Sequence, residues 1–540
     1  MAVEALPLDP RIFLPSLILL LYFVHCRLTA KRWLPNTIPW IGLRNGFFAK
    51  TRACMRDMRH GKEHLAEGYA KYSKHDKPFV APTTSWWPEV VLPQSSIKWL
   101  LSQPDHVVDL HEGVQDALQF GYVSPHDKVL ENPFHDDIVR RDLKRNLGVM
   151  TPAVFDELEA SVDELWGTDT ENWKEIPVYD TSQRIIARTT NRTFVGLPLC
   201  RDASYLHSAT KFANAMLLQV GVTRFLLPAL LKPLIGHFFA IPCHFRDWQF
   251  SRHLAPMIHA RLRDVERKER DPSYTYKEPN DLLQWIIKYA VTKGEPHDRK
   301  PRYLASRICI MNFAALHTST VTTTNALLDL AAADPACWAS IREEAERVFR
   351  DEGGVWTGSG VARLARADSA VRETLRLTGL GGRGLVREVV APGGVTLPDG
   401  THLPLGARLS VPSGEIQRDP AFYGATANEY DAFRFSRARE ALAERGDSDD
   451  APTSGTTRRE DHALTMVTTS DTFLTFGHGR RACPGRFFAS HEIKLLLAYV
   501  ATHYDVQRLA TRPPNVWISS SCIPPATAVL SVRRRQPKEA

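Results

Sequence analysis

This sequence offers little to a disulfide framework, a zinc site or a nucleotide. Its eight cysteines stand apart at positions 26, 54, 200, 243, 309, 337, 483 and 522. None forms a C-x-x-C pair, and none joins a histidine at zinc-site spacing. That pattern predicts reduced thiols in a reducing compartment. The N-x-[ST] match at Asn191 is then expected to go unused. A dinucleotide-binding fingerprint, the glycine-rich turn leading from a strand into a helix, is missing, and no flavin-type domain is expected. No basic run with interleaved aromatics occurs, and the net charge is only +7 over 540 residues, so nucleic acid is not an expected partner. Hydrophobic residues at 43% and charged residues at 24% fit an ordinary folded chain with ample core.

Nor is there an apolar run of the roughly 20 residues that cross a bilayer without tilt or thinning. The N-terminal candidate spans Ile12 to Cys26, interrupted by Pro15 and His25, about 22 Å as a helix. Its length also allows a cleaved signal peptide. No small-residue cleavage site follows, however; "CRLTAKRWLP" does. Arg27, Lys31 and Arg32 on the C-terminal flank place the body of the protein in the cytosol. Residues 1–34 are therefore expected to form an uncleaved anchor and hinge. Pro35 and Pro39 stiffen the connection, and residues 35–540 are expected to form a single domain.

Texture changes along that domain. Residues 80–100 read as strands and turns, and residues 139–289 as mostly helical. Two long helices are expected over 302–348, broken near Asp334-Pro335. Gly, Pro and Asp-Gly signals make 381–411 a sheet region. Residues 437–464 read as an exposed loop, and an apolar-striped helix follows Cys483. The order predicts a mainly helical α+β fold with a helix-rich lobe and a smaller β-rich lobe.

The segment "FGHGRRACPGRF", residues 476–487, sets one thiol among arginines and glycines just ahead of a helix. Positive charge and helix N-terminal amides favour a thiolate, and glycines let backbone amides approach the sulfur. The plainer reading is a structural cysteine in a tight turn. Phe476, Gly479, Arg481, Cys483 and Gly485 complete the pattern F-x-x-G-x-R-x-C-x-G. This resembles the haem-binding loop of the cytochromes P450, haem-thiolate monooxygenases that serve as a standard example of cysteine ligation at haem iron. The resemblance implies haem b with Cys483 as the axial iron ligand, Arg481 on a propionate and Phe476 beneath the macrocycle. "ETLR" supplies Glu373 and Arg376, three apart on one helix face. Alone, such a pair reads as a solvated salt bridge. In the family's order it is the E-x-x-R pair, and Arg434 in "YDAFRF" completes its network. The tail "RPPNVWISSSCIPPATAVLSVRRR" resembles the C-terminal hairpin of fungal microsomal members.

The resemblance also implies a distal helix at "NFAALHTSTVTTT". Ala314 and Ala315 take the small positions that leave room for dioxygen. Thr318 takes the threonine, whose hydroxyl orders water. His317 replaces the family's acid. A histidine can relay protons; alternatively it caps a polar contact and water carries them. Arg387 in "GLVREVV" and Arg140 in "HDDIVRRDLKRNLG" fall where relatives bind propionates. Asp136 stands where a tryptophan usually precedes the second arginine, and a surface arginine is the plainer reading of Arg140. Pocket walls are expected from residues 111–125, 211–239 and 377–385, with Arg383 a candidate for a substrate carboxyl or hydroxyl. The apolar 211–239 stretch also reads as core, and in anchored relatives it dips into the bilayer.

The implied function is a monooxygenase that oxidises an apolar or aromatic small molecule, in fungal secondary metabolism of terpenoid or polyketide type. It is expected at the endoplasmic reticulum membrane as a single-pass protein facing the cytosol. Electrons are expected from an NADPH–cytochrome reductase docking on the basic face around the cysteine loop, with cytochrome b5 as a further candidate. Oxidative phenol coupling stays open as an alternative. So does a haem-binding protein without turnover.

Overall fold

The computed structural model describes residues 15–17, 34–47, 49–84, 87–123, 129, 131–223, 232–446 and 464–536. Helices dominate it, and the sheets are smaller. The main helices are α1 (Ala49–Lys71), α2 (Leu110–Leu118), α3 (Lys144–Trp166), α4 (Val178–Phe194), α5 (Ala203–Gly221) and α6 (Lys232–Arg270). They continue with α7 (Leu282–Thr292), α8 (Pro301–Ala332), α9 (Ala336–Asp351), α10 (Ala365–Thr378), α11 (Arg434–Gly446) and α12 (Arg486–His503).

Local chemistry sets several of these ends. Asp202 and Asp281 cap α5 and α7, their carboxylates accepting from Tyr205 N at 2.8 Å and Gln284 N at 2.9 Å. Pro301 opens α8, where its missing N–H costs nothing. Ala332 closes it just before Asp334-Pro335, since the residue ahead of a proline avoids the helical region. The predicted break between two long helices falls there. α8 packs against α4, α5, α6, α10 and α12, and the stretches 303–309 and 319–331 on either side of its middle are almost wholly buried. It forms the axis of the helical core, with Leu304, Ile308 and Leu327 inside.

A five-stranded sheet runs in the order β1 (Phe79–Ala81), β2 (Glu89–Val91), β8 (Arg408–Val411), β5 (Gly384–Val389), β3 (Val108–Asp109). The β2–β8 pair is parallel and the others are antiparallel. A second sheet orders β4 (Lys174–Pro177), β12 (Val529–Arg534) and β9 (Tyr504–Val506). Short pairs join β6 (Val395–Thr396) to β7 (His402–Leu403), and β10 (Val516–Ile518) to β11 (Ser521–Ile523). The last pair is the hairpin expected from the tail. A separate apolar cluster, including Val90, Leu409 and Val411, lies under the larger sheet. Trp40 bridges to Val80, so the segment after the N-terminal region joins that sheet's edge.

Two boundaries move. Residues 80–100 end in helix rather than strand: a 3-10 turn at Gln94–Ser96 leads into a helix at Ile97–Ser102, with Ile97 and Leu100 one turn apart and buried. The loop expected over 437–464 starts as helix, because α11 runs to Gly446; residues 447–463 lie outside the described residues. The anchor expected over 1–34 also lies outside them, except for 15–17 and 34. Among the described residues no helix is long and apolar enough to cross a membrane. The seven described cysteines are all free. Asn191 is buried in α4, its amide donating to the Ala187 carbonyl and to Asn312 Oδ1, both at 2.8 Å, so it offers no glycosylation site.

α1 kinks at His60, and the next residue, Gly61, meets the β10–β11 turn. A Cβ there would lie 2.6 Å from the Ser519 carbonyl carbon. Glycine-to-alanine exchange inside a helix ordinarily gains about 1 kcal/mol. Gly61→Ala is predicted instead to lose about 1–3 kcal/mol through overpacking, read as a lower melting temperature; an unchanged or higher one contradicts the contact.

Candidate active site

Cys483 lies between a reversed turn and the start of α12. Gly477 (φ +69°) and Gly479 (φ +72°) adopt left-handed conformations that a side chain would strain. The Gly477 N–H donates to the Leu474 carbonyl, and the Cys483 N–H to the Phe476 carbonyl, both at 2.8 Å. Gly485 caps α12, and the Arg486 guanidinium donates back to the Cys483 carbonyl at 2.6 Å. Phe476 packs on the helical core. The Cys483 side chain is exposed, whereas Ala482 and Phe488 beside it are buried. Protein nevertheless packs round part of the thiol.

That packing pushes the thiol pKa up, against the Gly485 and Arg486 N–H groups and the Arg486 charge. Sequence points to Arg480 and Arg481 as the helping cations; Arg486 acts instead. Arg481 turns outward and donates to Asp105 at 2.6 Å, holding that carboxyl below its usual range. The fold alone does not ionise Cys483. A coordinated metal cation does so directly.

Glu373 and Arg376 are both fully enclosed on α10 and pair through two bonds of 2.7 Å. Arg376 also donates to the carbonyls of Gln417 at 2.7 Å and Ala427 at 2.6 Å. Arg434 donates to Glu373 Oε1 at 3.0 Å and to the Thr426 carbonyl at 2.8 Å. The three residues form one network, and its members reach backbone as well as each other. Gln417 extends it: its Oε1 accepts from Leu474 N at 2.7 Å and Thr475 Oγ1 at 3.0 Å, at the entry to the cysteine loop. No motif marks Gln417, and spacing did not find it.

In the partly exposed middle of α8, residues 310–318, Ala314 and Thr318 are the exposed positions, one turn apart. The Thr318 hydroxyl donates to the Ala314 carbonyl at 2.7 Å. His317 points elsewhere. Its ring meets Phe313 edge-on at 5.6 Å. Burial holds its pKa down, and a weaker backbone contact with Ala213 of α5 opposes that, so the ring is neutral.

On β5, burial alternates, and Arg387 falls on the inner face with Leu385 and Val389. Among the described residues its guanidinium donates only to the Val386 carbonyl, at 2.8 Å. Burial pushes its pKa down to about 10, so this is a desolvated cation in want of an anion. Arg387 and Arg481 line one cavity of about 250 Å³ with Leu110, Val114, Leu380 and Leu385. Of the three expected pocket stretches, 111–125 and 377–385 contribute to it; the described residues of 211–239 do not. Gly379, Gly381 and Gly384 do have G-x-G-x-x-G spacing, but they lead from α10 into β5, the reverse of the dinucleotide order. Arg383 is not free for a substrate. It donates to Glu89 at 3.0 Å, Asp57 at 3.3 Å and the Pro82 carbonyl at 3.0 Å. Arg140 is exposed, 3.5 Å from Asp137, and does not line the cavity.

A haem fits these residues. One exposed sulfur, a Cβ direction at Gly485 that meets nothing within 4 Å, and an unpaired buried arginine suit a broad dianionic group held by one thiolate. Among the described residues no cluster of three His, Cys, Asp or Glu could hold a bare ion. Residues 142–530 match the family described as Cytochrome P450. The chain belongs to the cytochrome P450 family. It is 34% identical over 531 residues, 96% of this chain and 95% of the relative, to cytochrome P450 monooxygenase gloP of Glarea lozoyensis. Identity is 33% to cytochrome P450 monooxygenase polB of Polytolypa hystricis and to okaG of Penicillium ochrochloron, each covering 93% of this chain and 94% of the relative. As a cytochrome P450 monooxygenase it is an oxidoreductase whose cofactor is haem b with an axial cysteine thiolate. It takes a small-molecule substrate and electrons from a redox partner.

Removing one member of a fully buried ion pair leaves the other uncompensated, at a cost of about 3–5 kcal/mol. Glu373→Ala is therefore predicted to accumulate little haem-loaded protein, measured as haem per polypeptide after purification. A fully loaded variant with wild-type thermal stability contradicts this.

Proposed function

We propose that Cys483 is the thiolate ligand of haem in a membrane-anchored P450 that oxidises an apolar or aromatic secondary metabolite of terpenoid or polyketide type. The observation that carries this reading is the exposed sulfur of Cys483, held at the mouth of α12 in a loop that satisfies every position of the haem motif. When bound, haem supplies the oxidising chemistry. The chain supplies the rest. Arg387 and Arg481 meet the propionates, Arg481 by exchanging its exposed Asp105 contact, and Arg140 is a third, more exposed candidate. Ala314 keeps space open beside α8. Thr318 holds water there, its hydroxyl oxygen still free to accept, and His317, one residue before it, would reach that water by turning its ring away from Phe313.

The apolar part of the cavity lining, Leu110, Val114, Leu380 and Leu385, beside the polar part that includes Arg387 and Arg481, favours an apolar or aromatic substrate. An NADPH–cytochrome reductase, with cytochrome b5 as a second donor, suits the basic rim of Arg480, Arg481 and Arg486 around the loop. Membrane attachment at the endoplasmic reticulum rests on the apolar run 12–26 with its basic flank. The exposed side chains of Leu217, Leu218, Phe238, Phe239, Ile241 and Trp248 on α5 and α6 also favour it.

The test is turnover of the full chain with reductase and NADPH against a panel of terpenoids and phenols. Oxygen-bearing terpenoid or polyketide products support the reading, coupled phenol dimers replace it with oxidative coupling, and no haem-dependent NADPH use overturns it. On the substrate that is turned over, Thr318→Ala is predicted to release several times more peroxide per NADPH and less product. Unaltered coupling removes Thr318 from proton handling.

A further inference from the structure

One face of α8 carries polar side chains well past Thr318. Thr318, Thr322, Asn325 and Asp329 are spaced four, three and four residues apart, so they lie within an arc of about 60°. The Thr322 hydroxyl donates to the Thr318 carbonyl at 2.8 Å. Asn325 is fully enclosed, and its Oδ1 accepts from Arg512 at 2.7 Å. Arg512 also donates to Asp329 Oδ1, while the Thr374 hydroxyl donates to Oδ2 at 2.8 Å. Arg512 itself keeps 22% of its side chain exposed. The stripe thus begins at an exposed threonine and ends at an arginine that keeps part of its side chain exposed.

It has one gap. Asn325 Nδ2 is enclosed and finds no partner among the described residues. An unmet buried amide donor costs about 1–3 kcal/mol, and ordered water is the usual remedy. Thr318 and Thr322 have each spent their proton on a backbone carbonyl, so both oxygens remain acceptors on this same face. Thr318 and Asn325 are seven residues apart, about 10 Å along the helix, a span for on the order of three waters.

We infer that water bound at Asn325 joins Thr318 and Thr322 to the Asp329–Arg512 pair, and that protons for the reaction enter along this stripe. The inference rests on the monooxygenase reading and deepens it. Each proton passed toward Thr318 is replaced from solvent at the Arg512 end, through the Asp329 carboxyl; no electrons move along the path. Thr322, Asn325, Asp329 and Arg512 are positioning residues, acting through Thr318.

Thr322→Val and Asn325→Leu remove the hydroxyl and the amide with little change of shape. The full-chain holoenzyme with reductase is run in H2O and D2O, and NADPH, O2 and hydrogen peroxide are followed together. Both variants are expected to divert a severalfold larger share of electrons to peroxide and to change the solvent isotope effect on NADPH oxidation. Thr322→Ser should restore both values, with the reduced–CO spectrum unchanged throughout. Wild-type peroxide share and isotope effect in the variants overturn the path and leave Arg512 a structural staple. If Asn325→Leu does not fold, Thr322→Val with its serine rescue decides alone. Failure of the unaltered protein to oxidise NADPH is a different result, and it removes the parent reading and this path together.

Discussion

The buried contact between Glu373 and Arg376 governs the rest of the structure. Two opposite charges without solvent are expensive, and their mutual attraction repays the desolvation only if every other donor and acceptor is met. Here nearly all are. Arg376 spends its remaining hydrogens on backbone carbonyls of the 417–429 segment, and Arg434 covers the outer side of Glu373. The pair therefore fixes where that segment passes beneath α10. Through Gln417 the same segment holds Leu474 and Thr475, and these start the turn that presents Cys483. A charge pair far from any reacting atom thus determines the position of the sulfur.

Around that sulfur the charges are arranged differently from a simple basic nest. Burial of the thiol works against ionisation, and only Arg486 and two backbone amides oppose it. Arg387 is the reverse case, a cation held dry on the inner face of β5 without a carboxylate. Both groups are costly in isolation, and the proposed haem site would offset both, its iron the thiolate and its anionic edge the arginine.

Much of this was legible from residues alone. The cysteine loop and the Glu373/Arg376 pair have short, fixed spacings whose chemistry is local, and the helix break before Pro335 follows from backbone sterics. Three features were not legible. Arg481 finds Asp105, Arg383 finds Asp57 and Glu89, and Arg512 finds Asp329, each across more than 180 residues of chain. Side-chain type says that such arginines want carboxylates; only the folded topology says which. The greater part of α11, residues 437–446, reads as loop in the sequence because it is polar on most sides, and the stripe below Thr318 is hidden in a run of threonines that weakly favours strand.

Ligation of iron by Cys483 is the claim on which everything functional depends. It is tested most directly by the absorption spectrum of the purified full-length protein, reduced under carbon monoxide, alongside Cys483→Ser. Thiolate ligation predicts the red-shifted thiolate-type band in the unaltered protein and its disappearance in the variant. A band of the imidazole type in the unaltered protein, or a thiolate-type band that survives the substitution, would contradict it.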